Sequence, residues 1–444
     1  MTVNDKPDGI TSIKLSLKFP DGGTKMNTVA ELTPREYYRL PWSLTDNAIS
    51  WLEVTDDCNL ECEGCYRPHI KNHKSLTQIA EELAVFKARR KSDCMSLAGG
   101  DPLMHPQIVE IVKMVKAGGW KPIINTNGLA QKKLLKKLKD AGAYGFTFHI
   151  DTTQVRSDSK ATTEKEHNAL RLKFAQMLAE EGGLACSFNQ TVSVDTLDQV
   201  KDAMAWAQQY PDIVHTMVFI LFRTPELFTT AALEGDFEIH ANGRPVDISN
   251  TYETPEWGGD TMLKAKDVVA KIHELDPDYQ PCAYLSGDQD PNATKWLLAS
   301  RLATKKRGFG YVGPKFMEAV QTGHHYLQGT WLSYSPPKSS RRGRMTMSFF
   351  SLFDRNVRAI AKRYLANLFK NPSSLFDSVH LQSFMIIQPI DVLPDGRASM
   401  CDGCPDMTVH EGELYWSCRL EEIKEYGCYL QGVKTGGCGA RQIH

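Results

Sequence analysis

From about residue 48 to about residue 221, short apolar runs alternate with segments of helical period, and this alternation narrows the possible folds more than any other feature. Ile49–Val54 reads as a strand. Ser75 then stands where a helix to about Arg90 needs a cap, with Gln78 at the capping-box position. Met95–Ala98 is a second strand, and Pro106 suits the first turn of the helix after it. Pro122–Asn125 is the third strand, followed by a helix in which Leu134, Leu135 and Leu138 share one face. Gly145–Ile150, Ala185–Val192 and Val214–Leu221 complete six strands. Helices around Ala169–Leu178 and over Leu197–Gln208 separate them, the latter with Asp195 as its expected cap. Strands and helices in this order predict an α/β fold with right-handed crossovers. Closed or nearly closed, the sheet is a partial (β/α)6 TIM-like barrel, with its chemistry at the C-terminal strand ends.

The conspicuous motifs fall at or near that rim. Cys58, Cys62 and Cys65 follow strand one, and Gly99-Gly100-Asp101-Pro102 follows strand two. Thr126-Asn127-Gly128 follows strand three, His149 and Asp151 end strand four, and Asn189 and Gln190 lie in strand five. Three thiols on one short loop leave a coordination position open, whereas a purely structural zinc or iron–sulfur site uses four protein ligands. Blander readings stand beside these. His69 or His73 would complete a zinc site, and Asn127-Gly128 would be an ordinary tight turn. His149 and Asp151 would be a buried hydrogen-bonded pair, and Asn189 would only satisfy backbone.

Cys58, Cys62 and Cys65, with Tyr66 directly after, resemble the CxxxCxxC motif of the radical S-adenosylmethionine (radical SAM) superfamily. Gly99–Pro102 resembles that family's GGEP motif, with Asp for Glu. The resemblance covers roughly residues 48–221. It implies that the three thiolates hold a [4Fe–4S] cluster whose fourth iron takes the amino and carboxylate groups of S-adenosylmethionine. It further implies that Gly99 and Gly100 let backbone approach the methionyl moiety, with Asp101 beside them. Asn127 lies on the same rim. His149 and Asp151 match ribose-contacting positions, Asn189 a carboxylate contact, and Tyr66 an adenine contact. The implied chemistry is one-electron cleavage of S-adenosylmethionine to a 5′-deoxyadenosyl radical, which abstracts hydrogen from an unactivated carbon. The implied electron donor is a flavodoxin or ferredoxin.

A second group of cysteines lies near the C-terminus. Met385–Val392 reads as a strand, Pro394-Asp395-Gly396 as a turn and Arg397–Met400 as the returning strand, which delivers Cys401 and Cys404. Leu414–Trp416 delivers Cys418, and Cys428 and Cys438 are both near enough in sequence to supply a fourth ligand. Structural zinc and a second [4Fe–4S] cluster both fit such spacing. The approach resembles the auxiliary-cluster (SPASM or twitch) domains of the same superfamily, and more loosely the subgroup containing tetraether lipid synthases. The expected division is an N-terminal extension (1–47), a radical SAM barrel (48–221), a substrate-binding and connecting region (222–383) and an α+β metal-cluster domain (384–444).

Composition sets the outer bounds. A formal charge of -1 over 444 residues gives no reason to expect a nucleic-acid partner. No apolar run is long enough to span a bilayer, and the first residues lack a signal-peptide core, so a cytoplasmic protein is expected. In that compartment the 11 cysteines are more readily ligands or free thiols than disulfides. Ser339-Ser340-Arg341-Arg342-Gly343-Arg344 is a basic run beside apolar helices. Its plainer reading is a solvated loop; taken with the loose resemblance to the tetraether lipid synthase subgroup, it suggests an amphiphilic, lipid-like substrate, with C–C bond formation as one outcome and peripheral membrane contact. A peptide-modifying radical SAM enzyme is the main alternative. An iron–sulfur or zinc protein for electron transfer or scaffolding is the non-enzymatic one. Gly308-Phe309-Gly310-Tyr311-Val312-Gly313 matches GxGxxG in form, but a Pro follows at once and no nucleotide site is expected there.

Overall fold

The computed structural model of the chain describes residues 32–65, 67, 70–129, 132–223, 236–248, 263–335 and 342–435. Tyr66, His69, Cys438 and the Ser339–Arg341 part of the basic run lie outside them.

The alternation becomes β1 (Ile49–Thr55), α1 (Leu76–Arg89), β2 (Cys94–Gly99), α2 (Ile108–Ala117), β3 (Lys121–Thr126), α3 (Lys132–Ala141), β4 (Gly145–His149), α4 (Glu164–Glu181), β5 (Ala185–Val192), α5 (Val200–Gln209) and β6 (Thr216–Leu221). The six strands pair in parallel in sequence order. They read as apolar runs because helices cover one face and the barrel interior the other. Local signals start the helices. Ser75 and Gln78 form the expected capping box on α1, and Thr163 and Glu166 form another on α4. Asp195 does not cap α5. The chain first makes a 3-10 turn, Leu197–Gln199, with Thr196 before it. Rings lock the helical layer to the sheet: Phe148 lies 5.1 Å from Phe174 of α4, and Phe188 lies 5.3 Å from Trp206 of α5.

The sheet continues past β6. His380–Ile387 pairs in parallel with β6, and Trp296–Ala303 pairs antiparallel beyond it, within one sheet of eleven strands. The strand expected over Met385–Val392 is therefore two strands. Its first half belongs to the barrel sheet. Pro389 has no N–H to donate, and the chain leaves the sheet there before a short hairpin, Asp391–Val392 with Ala398–Ser399. A second hairpin, Met407–His410 with Glu413–Trp416, turns through Glu411 (φ 48°) and Gly412 (φ 80°). Positive φ at both central residues is what a two-residue hairpin loop requires. The GxGxxG segment is not a phosphate loop. Gly308–Tyr311 is a strand against Trp296–Ala303, and the N–H groups of Gly313 and Phe316 donate to the Asp354 carboxylate. No helix among the described residues is long and apolar enough to cross a membrane.

Candidate active site

The Cys58–Cys65 loop follows β1 and is stitched down on two sides. The Lys74 N–H donates to the Val54 carbonyl (3.1 Å) and the Asp56 N–H to the Asn72 carbonyl (3.0 Å), so the returning chain lies along the strand it left. Across the rim, the Glu63 N–H donates to the Thr153 carbonyl (2.8 Å), and Cys62 bridges to Gln154. His73 is not among the thiols. Its Nδ1 lies 2.7 Å from the Thr55 hydroxyl, at the foot of the loop.

Gly99 and Gly100 permit a close approach to this same segment. Gly99 has φ +127°, and a Cβ there would lie 2.0 Å from the Thr55 carbonyl oxygen. One on Gly100 would lie 2.3 Å from the Asp57 carbonyl oxygen. The glycines therefore let β2 support the backbone that leads into the thiol loop. Asp101 turns its carboxylate inward. It accepts the N–H groups of Leu103 (2.9 Å) and Asn127 (2.9 Å) and the Thr126 hydroxyl (2.8 Å). Burial raises its pKa while these donors and Arg156 oppose the rise. The short Asp side chain suits a carboxylate that folds back on its own rim.

The next motifs interlock with these. The Asn127 side-chain amide donates to Asn59 Oδ1 (2.6 Å), and its oxygen accepts the Leu129 N–H (3.0 Å), so this residue both makes the turn and braces the thiol loop. Asp151 is fully buried. It accepts the Thr153 hydroxyl (2.6 Å), the Thr191 N–H (2.7 Å) and a bond from His149 Nε2 (2.7 Å). Burial opposes ionisation of both groups, yet their mutual attraction outweighs it. His149 is raised, and Asp151 is held well below the usual carboxylate range. His149, Asn189 and Thr191 line a cavity at the rim; Asp151 stands behind them.

That cavity has a volume of about 350 Å³ and is lined by Cys58, Cys62 and Cys65 together with Cys401, Cys404 and Cys418. Two groups of thiols from opposite ends of the chain thus face one space. Trp51, Ile220, Trp296, Ile387 and Met400 supply apolar wall, and Arg67, Arg223 and Arg419 supply charge. Cys428 is not brought there; it packs against the small separate core around Phe237 and Ile239. Burial, then the Asp101 carboxylate and Cys65, push Cys58 up, and burial, then Cys65, pushes Cys62 up. Cys418 is pushed up to about 12 by burial, with Cys401 adding to it.

Several residues that arrange the site were not singled out in the sequence. Arg90, buried at the end of α1, donates to the carbonyls of Cys404 (2.7 Å), Pro405 (3.1 Å) and Ile49 (2.8 Å). Asn47 donates to the Gly403 carbonyl (2.8 Å). Arg67 pairs with Glu53 on β1 and with Glu421 (2.7 Å) beyond Cys418, and its guanidinium also reaches the Ser417 carbonyl (3.2 Å). Buried Lys295 holds Asp391 (2.6 Å), which also pairs with Arg223 (3.1 Å), fixing the wall near Trp296. Asp406, near Arg90, is pushed up to about 7 by burial, with Arg90 opposing. These arginines have no sequence signature, because the partners by which they join the two regions, Glu421 for Arg67 and Cys404 for Arg90, lie 354 and 314 residues away.

The residues fit an iron–sulfur cluster with S-adenosylmethionine. Cys401 and Cys404 are buried and the other four thiols partly so, and thiolates crowded in this way are costly unless positive charge is placed among them. Among the described residues no three His, Cys, Asp or Glu side chains converge tightly enough for a single metal ion. Thiolates that bind separate irons of a cluster do not need to.

Fold and rim together define a partial (β/α)-barrel protein with a thiol loop after its first strand. Residues 52–232 match the family model of the Radical SAM superfamily, so this part of the chain is a radical SAM domain. Its domain implies a [4Fe–4S] cluster with S-adenosylmethionine. A probable GTP 3′,8-cyclase of Methanococcus aeolicus is 27% identical over 177 residues, covering 38% of this chain and 58% of the relative. The GTP 3′,8-cyclase of Lactiplantibacillus plantarum is 35% identical over 119 residues, covering 25% and 36%. The chain thus spans only part of the length of these relatives. SuiB of Streptococcus suis, solved bound to its precursor peptide SuiA, aligns with a TM-score of 0.33 at 16% identity, covering 41% of each chain.

Proposed function

We propose that this protein is a radical SAM enzyme in which two thiolate-held clusters face one substrate cavity. Cys58, Cys62 and Cys65 hold the [4Fe–4S] cluster that binds S-adenosylmethionine. Cys401, Cys404 and Cys418 hold an auxiliary [4Fe–4S] cluster, with Cys438 the candidate for a fourth ligand. The observation that carries this reading is the single cavity lined by both thiol groups. When bound, the first cluster and its ligand supply an electron and a 5′-deoxyadenosyl radical able to take hydrogen from an unactivated carbon.

The chain's own residues bind, orient and exclude water. Gly99 and Gly100 keep the thiol loop seated against β2. Asp101 holds Thr126 and Asn127, and Asn127 braces Asn59 between Cys58 and Cys62. Asp151 fixes the His149 ring at the cavity surface, where it offers a polar group to ribose. Asn189 is the candidate for the methionyl carboxylate. The apolar wall of Trp51, Ile220, Trp296, Ile387 and Met400 suits a substrate with an apolar chain, and C–C bond formation on a lipid chain is the outcome we favour. Such a reaction draws electrons from a flavodoxin or ferredoxin, in the cytoplasm, at a membrane surface.

The test is anaerobic reconstitution with iron and sulfide, then reduction and addition of S-adenosylmethionine. The expected product is 5′-deoxyadenosine. Neither product nor a spectral change on adding S-adenosylmethionine would reduce the chain to an iron–sulfur or zinc scaffold. Lipid extracted from the recovered protein supports the lipid reading; a co-purifying peptide that acquires a crosslink replaces it with peptide modification.

A further inference from the structure

Helices Gly343–Phe350 and Arg355–Lys370 and the 3-10 turn Pro372–Phe376 form a surface that the cavity does not use. The longer helix buries Val357, Ile360, Tyr364 and Asn367 along one stripe, with Tyr364 at 5.2 Å from Phe309. Its opposite side carries Arg355, Arg358, Lys362 and Lys370, and Leu365 (53% exposed) and Phe369 stand among these cations. Phe369 and Phe376 are 88% and 87% exposed, and Met345, Phe349 and Leu352 are 64%, 61% and 70% exposed. These side chains belong to one neighbourhood. Phe349 and Phe353 meet at 5.3 Å across the turn between the helices. At the other end Arg344 donates to the Asp377 carbonyl (2.7 Å), which ties the start of the first helix to the chain just past Phe376. Exposed apolar side chains grouped in this way mark an interaction surface.

The charge of the segment says what covers it. From Arg342 to Phe376 the sequence has seven Lys or Arg and one acid, in a chain whose formal charge is -1. That acid, Asp354, is 1% exposed and is consumed as the cap of the helix, accepting the N–H groups of Asn356 and Val357. Among the described residues Arg355, Lys362 and Lys370 make no ion pair, whereas Arg363 is engaged by Asp278 (2.7 Å). A second copy of the chain seated here by two-fold symmetry would set this positive face against itself. An anionic bilayer has the opposite charge and an apolar interior.

We propose that this face docks peripherally on an anionic lipid bilayer. Its exposed Phe, Leu and Met side chains enter the boundary between headgroups and acyl chains, and its lysines and arginines meet lipid phosphates. The Gly343 N–H donates to the Val379 carbonyl (3.0 Å), at the start of the strand His380–Ile387, whose other end lines the cavity. The docking face and the cavity therefore lie at opposite ends of an eight-residue strand, roughly 25 Å apart. The docking does not rest on the chemistry in the cavity, so each can fail alone.

The full chain is sedimented with vesicles of phosphatidylglycerol and phosphatidylcholine, and with phosphatidylcholine vesicles alone. Binding to the anionic vesicles, reversed by high salt and at least about tenfold weaker on the neutral ones, is expected. F369S/F376S and K362E/K370E should each weaken it at least about tenfold, with circular dichroism, melting and 5′-deoxyadenosine formation unchanged. No binding to anionic vesicles overturns the proposal, as does binding that both variants leave intact. A dimer in light scattering that F369S/F376S turns into a monomer overturns it too, and assigns the face to a second copy.

Discussion

Cys58, Cys62 and Cys65 sit on one loop of eight residues, whereas Cys401, Cys404 and Cys418 are delivered by two hairpins. The first loop is held by backbone hydrogen bonds to the rim and by two glycines that admit close contact. The second group has backbone bonds too, Asp288 N–H to the Met400 carbonyl and Asp402 N–H to the Ser286 carbonyl (2.9 Å each), but it also depends on side chains reaching across the chain, Arg90 to Cys404 and Arg67 to Glu421. A loop on a rigid strand end carries its own geometry. A group assembled from two hairpins takes part of its geometry from buried arginines, and it should be the more easily disordered of the two.

The largest effect expected from breaking this comparison is chemical. C58A/C62A/C65A should abolish 5′-deoxyadenosine while retaining iron at the C-terminal group. If that variant loses all its iron, the two sites are not separate. Next in size is R67M. It strands the buried Glu53 without its cation, leaves Glu421 only Lys424 (2.9 Å), and should cost about 3–5 kcal/mol of stability in denaturant titration. A loss below about 1 kcal/mol would show that the bridge does not hold the two regions together. Asp101 tests the first loop's support. D101E, although nearer the family pattern, puts an extra methylene into a 2%-exposed site and should destabilise by about 1–3 kcal/mol. An unchanged or raised melting temperature would show that the rim does not require the shorter side chain.

The smallest effect is a pH dependence. Burial works against a charged His149, but Asp151 prevails and the folded-state pKa is raised. Its contribution is therefore fully present below the unfolded pKa and fades as pH rises through the folded one. Because the ring is 39% exposed, solvent screening reduces the contribution to a fraction of a kcal/mol. H149Q should flatten this slope above neutral pH; an identical slope in H149Q assigns it to another group.

The six parallel strands were legible because burial on both faces leaves apolar runs, and helix caps such as Ser75 with Gln78 are local. The rim motifs were legible for the same reason. The thiols, Gly99-Gly100, Asn127 and His149 each stand within a few residues of a strand end. The seventh parallel strand was not, since His380–Ile387 joins β6 only after about 160 residues of intervening chain, and the expected strand ran through Pro389, which in fact ends it. Nor were Arg67 and Arg90. A buried arginine looks like a surface one until its distant carbonyl and carboxylate partners are known. Cys428 shows the converse, because nearness in sequence to Cys418 did not bring it to the cavity.

The most direct test of two separate sites is electron paramagnetic resonance of reduced, anaerobically reconstituted C401A/C404A/C418A, with and without S-adenosylmethionine. A remaining cluster signal that changes when S-adenosylmethionine is added is the predicted result. A spectrum with no cluster signal, or one that S-adenosylmethionine leaves unchanged, would contradict it.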